Sequence, residues 1–134
     1  MAPIGKLGLL CGAMMLCAGE ALATQNIICS APDDKASFGF LVGTTPGLNP
    51  LGAGMEAGGK KWTTKQEAGA TLITIAQAFS DDEGMKIDIA DDNSERIIAK
   101  LRLTRAHEEG DDWILAGTLH IVGVGAWPVT CSEG

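Results

Sequence analysis

The stretch that decides the fold spans residues 85–106 and reads MKIDIADDNSERIIAKLRLTRA. At its start, Met85, Ile87 and Ile89 alternate with Lys86 and Asp88. Its last part repeats the alternation, with apolar side chains at positions 99, 101 and 103. Successive side chains of a β-strand point to opposite faces, so this period of two predicts two strands, each buried on one face. The DDNS sequence between them is typical of a turn, so the two strands should be antiparallel neighbours.

Short apolar segments bounded by turn sequences lie on both sides of this pair. NIICSA (26–31) and ASFGFLVG (36–43) flank the turn PDDK, and WILAGTLHIVGV (113–124) follows HEEGDD. Strands that follow one another through short turns predict an all-β fold, built as an antiparallel meander.

Two segments fit this plan less directly. In residues 64–79, Thr64 and Glu67 fit a helix-capping box, whereas TLITIAQAF is rich in the β-branched residues that favour strands. We therefore expect a strand there, with a helix as the alternative. Residues 43–60 are dense in Gly and Pro and have no period, which predicts a long loop or a poor edge strand around Pro50.

The first 23 residues have the pattern of a cleavable secretory signal. A short leading segment with Lys6 precedes an apolar run over residues 7–18, and Ala21-Leu22-Ala23 fits the small-residue cleavage site. The apolar run is shorter than the roughly 20 residues of a membrane-spanning helix, so no membrane insertion is expected. The sequence thus predicts one mature β domain over residues 24–134 that is periplasmic or secreted.

Removal of the signal leaves two cysteines, Cys29 and Cys131, of the four in the chain. An exported protein meets an oxidising compartment, so we expect them to form a disulfide rather than a free thiol pair or a metal pair. The bridge would bring the first and last strands together. A meander whose two ends meet closes into a small β-barrel without exposed edges, and a β-sandwich is the alternative.

The mature domain is strongly acidic. It contains nine basic and sixteen acidic residues, which gives a net charge of −7. This sign disfavours nucleic acid and anionic lipid as partners, and it favours a cation or a basic protein.

Two acidic turn sequences, SDDEG (80–84) and HEEGDD (107–112), are separated by one other turn. Alternate turns of a meander lie at the same end, so we expect these acids to form one rim. The predicted rim consists of Asp81, Asp82, Glu83, Glu108, Glu109, Asp111 and Asp112. Solvated turns are the simplest interpretation of each single residue, and a docking surface for a basic partner is the best specific one. The basic residues Lys100 and Arg102, predicted on an exposed strand face, could add close contacts.

Neither catalysis nor a bound cofactor is indicated. His107 and His120 have no neighbouring Ser or Cys in a nucleophile motif, and the acidic turns do not follow the calcium-loop spacing. We therefore expect no enzymatic activity, no metal and no cofactor. Trp62, Trp113 and Trp127 suit either the core or a sugar-binding or apolar pocket.

A signal peptide, a β domain of this length, NIIC in the first strand and PVTC in the last together resemble the bacterial periplasmic inhibitors of C-type lysozyme. That family consists of small disulfide-bonded β-barrels. The resemblance implies a protein that occupies the cleft of a basic muramidase, either a host lysozyme or the cell's own peptidoglycan hydrolase. The Ser-Gly-rich motif ending in Tyr that marks the family is absent, and the chain has no Tyr, so no inhibitory residue is carried over.

The sequence therefore predicts an exported binding or inhibitor protein directed at a basic cell-wall hydrolase. The alternative function is a β-barrel carrier of a small apolar or sugar ligand in the cell envelope, with the three tryptophans lining its pocket.

Overall fold

The computed structural model describes residues 25–43, 47–107 and 113–134. These residues form a closed barrel of nine strands in sequential order, together with one turn of 3-10 helix at Pro32–Asp34. The strands are β1 (Gln25–Ser30), β2 (Ala36–Val42), β3 (Pro50–Ala57), β4 (Lys60–Thr63), β5 (Thr71–Ser80), β6 (Gly84–Asp91), β7 (Ile97–His107), β8 (Trp113–Ile121) and β9 (Gly125–Glu133). The predicted signal peptide lies outside the described residues.

The barrel closes because β1 pairs with β9 in antiparallel orientation. Nine strands that simply alternated in direction would leave β1 and β9 parallel. The chain avoids this by one parallel pair, β4 with β5, joined by residues 64–70 and held by two residue pairs, Trp62 with Thr71 and Thr63 with Leu72. The predicted antiparallel meander barrel is thus confirmed, with this one joint as an exception. We refer to the end that carries the β5–β6 turn as the lower end, and to the opposite end as the upper end.

The core consists of the inward-facing side chains of these strands, as the alternation in the sequence predicts. In β6, Ile87 and Ile89 are fully buried, and in β7, Ala99 and Leu101 are fully buried, while the intervening Lys100 is exposed. Aromatic side chains also contribute to the core. Phe38 and Phe40 on β2 meet edge to face with ring centroids 5.9 Å apart, and Trp62 on β4 is buried in the same cluster. Sequence alternation and inward burial therefore agree along the strands that decide the fold.

The structure corrects the prediction for residues 43–60. Residues 50–57 form β3, which pairs with β2 on one side and with β4 on the other, so this segment is neither a loop nor an edge strand. Its inward positions are Ala53, Met55 and Ala57, whose small or flexible side chains gave little periodic signal among the glycines. The turn that follows, Gly58-Gly59, has positive φ at both residues, which is the geometry of a tight two-residue hairpin.

Residues 71–80 form β5, which confirms the strand expected within residues 64–79 and excludes the helix there. The capping-box residues Thr64 and Glu67 instead belong to the connection between β4 and β5. Thr64 Oγ1 accepts a hydrogen bond from Ala53 N at 3.1 Å, so this connection is fastened to β3.

The predicted disulfide is present between Cys29 of β1 and Cys131 of β9. The two residues are direct cross-strand partners, with Cα atoms 3.9 Å apart. Cys29 is fully buried, so the bridge lies on the inside of the barrel wall. The covalent link therefore coincides with the strand pair that closes the barrel.

Two glycines let the wall bend sharply around β7. A Cβ atom at Gly84 of β6 would lie 1.9 Å from Leu103 O, and one at Gly117 of β8 would lie 1.8 Å from Arg102 O. Both neighbouring strands therefore approach the β7 backbone at the same place, where only glycine fits. Glycines of this kind commonly mark the corner of a small barrel.

Candidate functional site

The acidic turn (residues 81–83) joins β5 to β6 at the lower end, and its first residue is structural. Asp81 Oδ1 accepts hydrogen bonds from Glu83 N at 2.8 Å and Gly84 N at 3.0 Å, which is the usual way an Asp shapes a turn. Arg105 of β7 donates from its guanidinium to Asp81 O, and its backbone N donates to Glu83 O at 2.7 Å. Asp81 and Arg105 thus hold the turn in place, while Asp82 and Glu83 present exposed carboxylates.

The other four predicted rim acids, Glu108, Glu109, Asp111 and Asp112, lie outside the described residues. The strand ends from which this connection departs are described. His107 of β7 pairs with Trp113 of β8, and β7 runs past the acidic turn at the same end of the barrel. The described ends of β7 and β8 that flank this connection therefore lie at the lower end, and the rim itself stays a prediction.

The two predicted basic contact residues lie on the outer wall rather than at the lower end. Arg102 Nη2 forms an ion pair with Asp88 Oδ1 at 2.7 Å, and Arg102 Nη1 donates to Leu101 O at 2.9 Å. Lys100 is exposed and stands between its cross-strand neighbours Asp88 and His120. Arg102 is committed to a neighbour within the wall, so of the two, Lys100 is the more available to a partner.

Charges of both signs occur at the upper end. Exposed acids occupy the β1–β2 turn and the β6–β7 turn, and they are Asp33, Asp34, Asp92 and Glu95. Lys35, Lys60 and Arg96 are exposed at the same end. The outer wall of β6, β7 and β8 carries the basic group of Lys86, Lys100, Arg102 and His120. A basic partner that approached the acidic turn at the lower end would meet the exposed carboxylates of Asp82 and Glu83, whereas one that approached this wall would meet basic side chains.

A cavity of about 600 Å³ opens at the upper end, beside the parallel joint of β4 and β5. We refer to it as the upper mouth. It is lined by Lys60, Trp62, Thr71, Leu72, Asp91, Asp92, Ile98, Ile121, Val122, Gly123 and Val124. Most of these residues are apolar, and the charged ones carry both signs. Trp62 is therefore both a core residue, 7% exposed, and part of the wall of this cavity.

An ion pair fastens the β4–β5 connection to the barrel near the upper mouth. Lys61 Nζ lies 3.0 Å from Glu67 Oε1 and 4.0 Å from Glu56 Oε1. The hydrogen bond and the charge of Glu67 raise the pKa of Lys61. Lys61 and both glutamates are largely in solvent, so this contact orders the connection more than it stabilises the whole fold.

Within the described parts of the chain, no three His, Cys, Asp or Glu side chains are grouped as a metal site. Among the same residues, no helix has the length and apolar character needed to cross a membrane. No protein family, no curated protein and no solved structure matches this chain.

The sequence analysis did not single out the residues of the upper mouth. They come from five strands and two turns that are far apart in the chain, so no spacing in the sequence reveals the cavity. One signal was available: the DDNS turn lies one turn away from each acidic sequence, so a meander places it at the opposite end. Trp62 was named, but only as one of three tryptophans with two possible roles.

Proposed function

We propose that this protein is an exported binding protein that inhibits a basic cell-wall hydrolase by docking its acidic lower end against it. The observation that carries the proposal is the acidic turn, in which Asp81 and Arg105 hold the backbone and leave Asp82 and Glu83 exposed. A turn fixed in this way loses little conformational freedom when it binds.

The closed barrel supports this proposal. In the described barrel β1 and β9 pair with each other and are linked by the disulfide, so neither of these two strands offers a free edge to which a partner could add a strand. Turns and outward side chains are the surfaces that we propose make the contacts, and the acidic turn presents Asp82 and Glu83 at the lower end. A net charge of −7 also steers the protein toward a cationic enzyme.

A carrier of an apolar or sugar ligand inside the barrel has less support. The inward-facing side chains are apolar and pack into one cluster, so a ligand within the barrel would have to displace them. Trp62 is buried in this cluster and Trp127 packs against it, which favours their role in the core.

The test is a titration of a C-type lysozyme with the oxidised, exported protein in a cell-wall lysis assay. We expect stoichiometric inhibition that weakens when salt is raised from low ionic strength to about 0.15 M, because the Debye length there falls to about 8 Å. The same titration against another basic peptidoglycan hydrolase determines whether the target is the host's enzyme or the cell's own.

Paired variants locate the surface. The change Asp82→Asn with Glu83→Gln removes two charges at the lower end and leaves Asp81 in place. The control, Asp33→Asn with Asp34→Asn, removes two charges at the upper end. We expect the lower-end variant to weaken inhibition by about tenfold and the control to have little effect.

Neutralising Glu108, Glu109, Asp111 and Asp112 together should add to the loss, with Asp33, Asp34, Asp92 and Glu95 as the matched set. Equal losses in the two sets would mean that net charge alone matters and would overturn docking through the lower end. Absence of inhibition and of co-migration at low salt, for both hydrolases, would overturn the inhibitor function.

A further inference from the structure

The upper mouth has the size and composition of a small-molecule site. Its volume of about 600 Å³ is within the range of about 300 to 1,000 Å³ that is usual for ligand pockets. Its apolar wall includes the half-buried Ile98 and Val124, while Ile121 and Trp62 line it from the core. This cavity is at the opposite end from the acidic turn, so the inference does not depend on the proposed function.

Apolar groups at the rim of the cavity are left in water. Val122 is 56% exposed and Leu72 is 39% exposed, and both line the cavity. Covering such groups is favourable in proportion to the area removed from water. The apolar body of a ligand could therefore cover the exposed side chains of Val122 and Leu72 at the opening.

The charges around the opening favour a cation over an anion. Asp91 and Asp92 line one side, and Lys60 is the basic residue among the lining. Asp91 Oδ1 accepts hydrogen bonds from Glu95 N at 2.7 Å and Arg96 N at 3.3 Å, so Asp91 shapes the turn at the edge of the cavity. Asp92 follows it and is exposed. The protein's charge of −7 adds a long-range preference of the same sign.

The cavity also lies against the least extensively paired joint of the barrel. Only two residue pairs connect β4 with β5 in the described chain, and three of their four members, Trp62, Thr71 and Leu72, line the cavity. A ligand that touches both strands would add contacts across this joint. Binding should therefore slow the opening of the β4–β5 pair more than that of any other strand pair.

We propose that the upper mouth binds a small cationic amphiphile. Its apolar body lies against Leu72, Val122 and Val124, and its cationic group faces Asp92 at the rim. The site recognises an ammonium group joined to a compact apolar or aromatic body.

Two naphthyl probes of similar size and opposite charge test this proposal: the naphthylmethylammonium cation and the naphthaleneacetate anion. Each is titrated into the oxidised, isotopically labelled protein at about 0.15 M salt, and binding is followed by two-dimensional NMR. We expect saturable shifts for the ammonium probe at Val122, Gly123, Val124 and the Trp62 indole N–H. The carboxylate probe should bind at least severalfold more weakly. Hydrogen exchange with bound ammonium probe should show slowed exchange at residues 62–63 and 71–72.

Single-residue variants test whether the ammonium probe binds in this cavity. Asp92→Asn should weaken binding of the ammonium probe by about twofold to fivefold, because an exposed charge contributes modestly. Asp33→Asn removes the same charge from another turn of the upper end and should leave binding unchanged. Val122→Lys should weaken the ammonium probe and strengthen the carboxylate probe, which a simple loss of folding would not do. Each variant is checked for a dispersed spectrum.

The outcomes distinguish the proposed ligand site at the upper mouth from the proposed inhibition through the lower end. Equal affinity for both probes, or shifts that do not saturate, would overturn a cation site at the upper mouth. Equal losses in Asp92→Asn and Asp33→Asn would do so as well. The lower-end variant with Asp82→Asn and Glu83→Gln should keep full probe binding, so failure of either function is recognised without reference to the other.

Discussion

Gly84 and Gly117 face β7 from its two sides, and each occupies a position where a Cβ atom would collide with the β7 backbone. We expect Gly84→Ala or Gly117→Ala to lower the free energy of unfolding by about 1 to 3 kcal/mol, because the backbone must shift to make room for the methyl group. Urea unfolding of the oxidised protein measures this loss.

Gly39 and Gly54 provide the matched control. They are direct cross-strand partners, neither has a positive φ, and added Cβ atoms would find the nearest atoms at 3.8 and 3.5 Å. Alanine at either position should be neutral or should raise the free energy of unfolding by up to about 1 kcal/mol, because it restricts the unfolded chain. Equal destabilisation at all four glycines would show that the corner at β7 is not the cause.

Single residues also mark where sequence reasoning succeeded and where it could not. The acids of SDDEG were correctly placed in a turn, since Asp, Ser and Gly favour turns for local reasons. The sequence did not predict that Asp81 holds the turn while its neighbours are exposed. That difference depends on Arg105, which belongs to a strand that is distant in sequence. The same applies to Arg102, whose partner Asp88 is on the adjacent strand.

The connection of residues 64–70 is the element that distinguishes this barrel from a simple meander, and an ion pair fastens it. Because the pKa of Lys61 is raised in the folded state, the stabilisation from this pair is fully present below the unfolded pKa of 10.5. It is lost as the pH rises through the higher folded-state pKa.

We therefore expect Glu67→Gln to lower the urea midpoint slightly at about pH 8, and the difference from the wild type to shrink as the pH passes the pKa of Lys61. Glu95→Gln, an exposed acid of the β6–β7 turn, serves as the control for general charge effects. A difference that stays constant with pH would mean that the Lys61 charge does not stabilise this connection.

At the level of elements, the alternation of polar and large apolar residues predicted strands correctly in β6 and β7. It failed in β3, because Gly52 and Gly54 occupy the outward positions and Pro50 begins the strand. The parallel joint of β4 and β5 also gave no signal, since seven polar or small residues suit a turn between strands of either orientation. Both acidic sequences come after this joint, so their predicted placement at one end did not depend on it.

For the whole molecule, closure rests on the pairing of β1 with β9 and on the Cys29–Cys131 bridge between them. The bridge spans 102 positions of the chain, and its loss releases a long loop in the unfolded state. We expect reduction, or the double change Cys29→Ala with Cys131→Ala, to lower the free energy of unfolding by about 2 to 5 kcal/mol.

Urea unfolding with and without reductant measures this contribution, and the double variant must be insensitive to reductant. Hydrogen exchange should accelerate first in β1 and β9, because those strands become the edges of an open sheet. Identical unfolding of the oxidised and reduced protein would show that strand pairing alone closes the barrel.

The same closure sets the order of events during biosynthesis. Cys29 leaves the ribosome long before Cys131, its partner 102 positions later, so β1 must wait for nearly all of the remaining chain. A chain that stops before Cys131 lacks β9 and would leave β1 and β8 as unpaired sheet edges, which favours aggregation. Covalent closure of the barrel can therefore follow only after Cys131 has been synthesised.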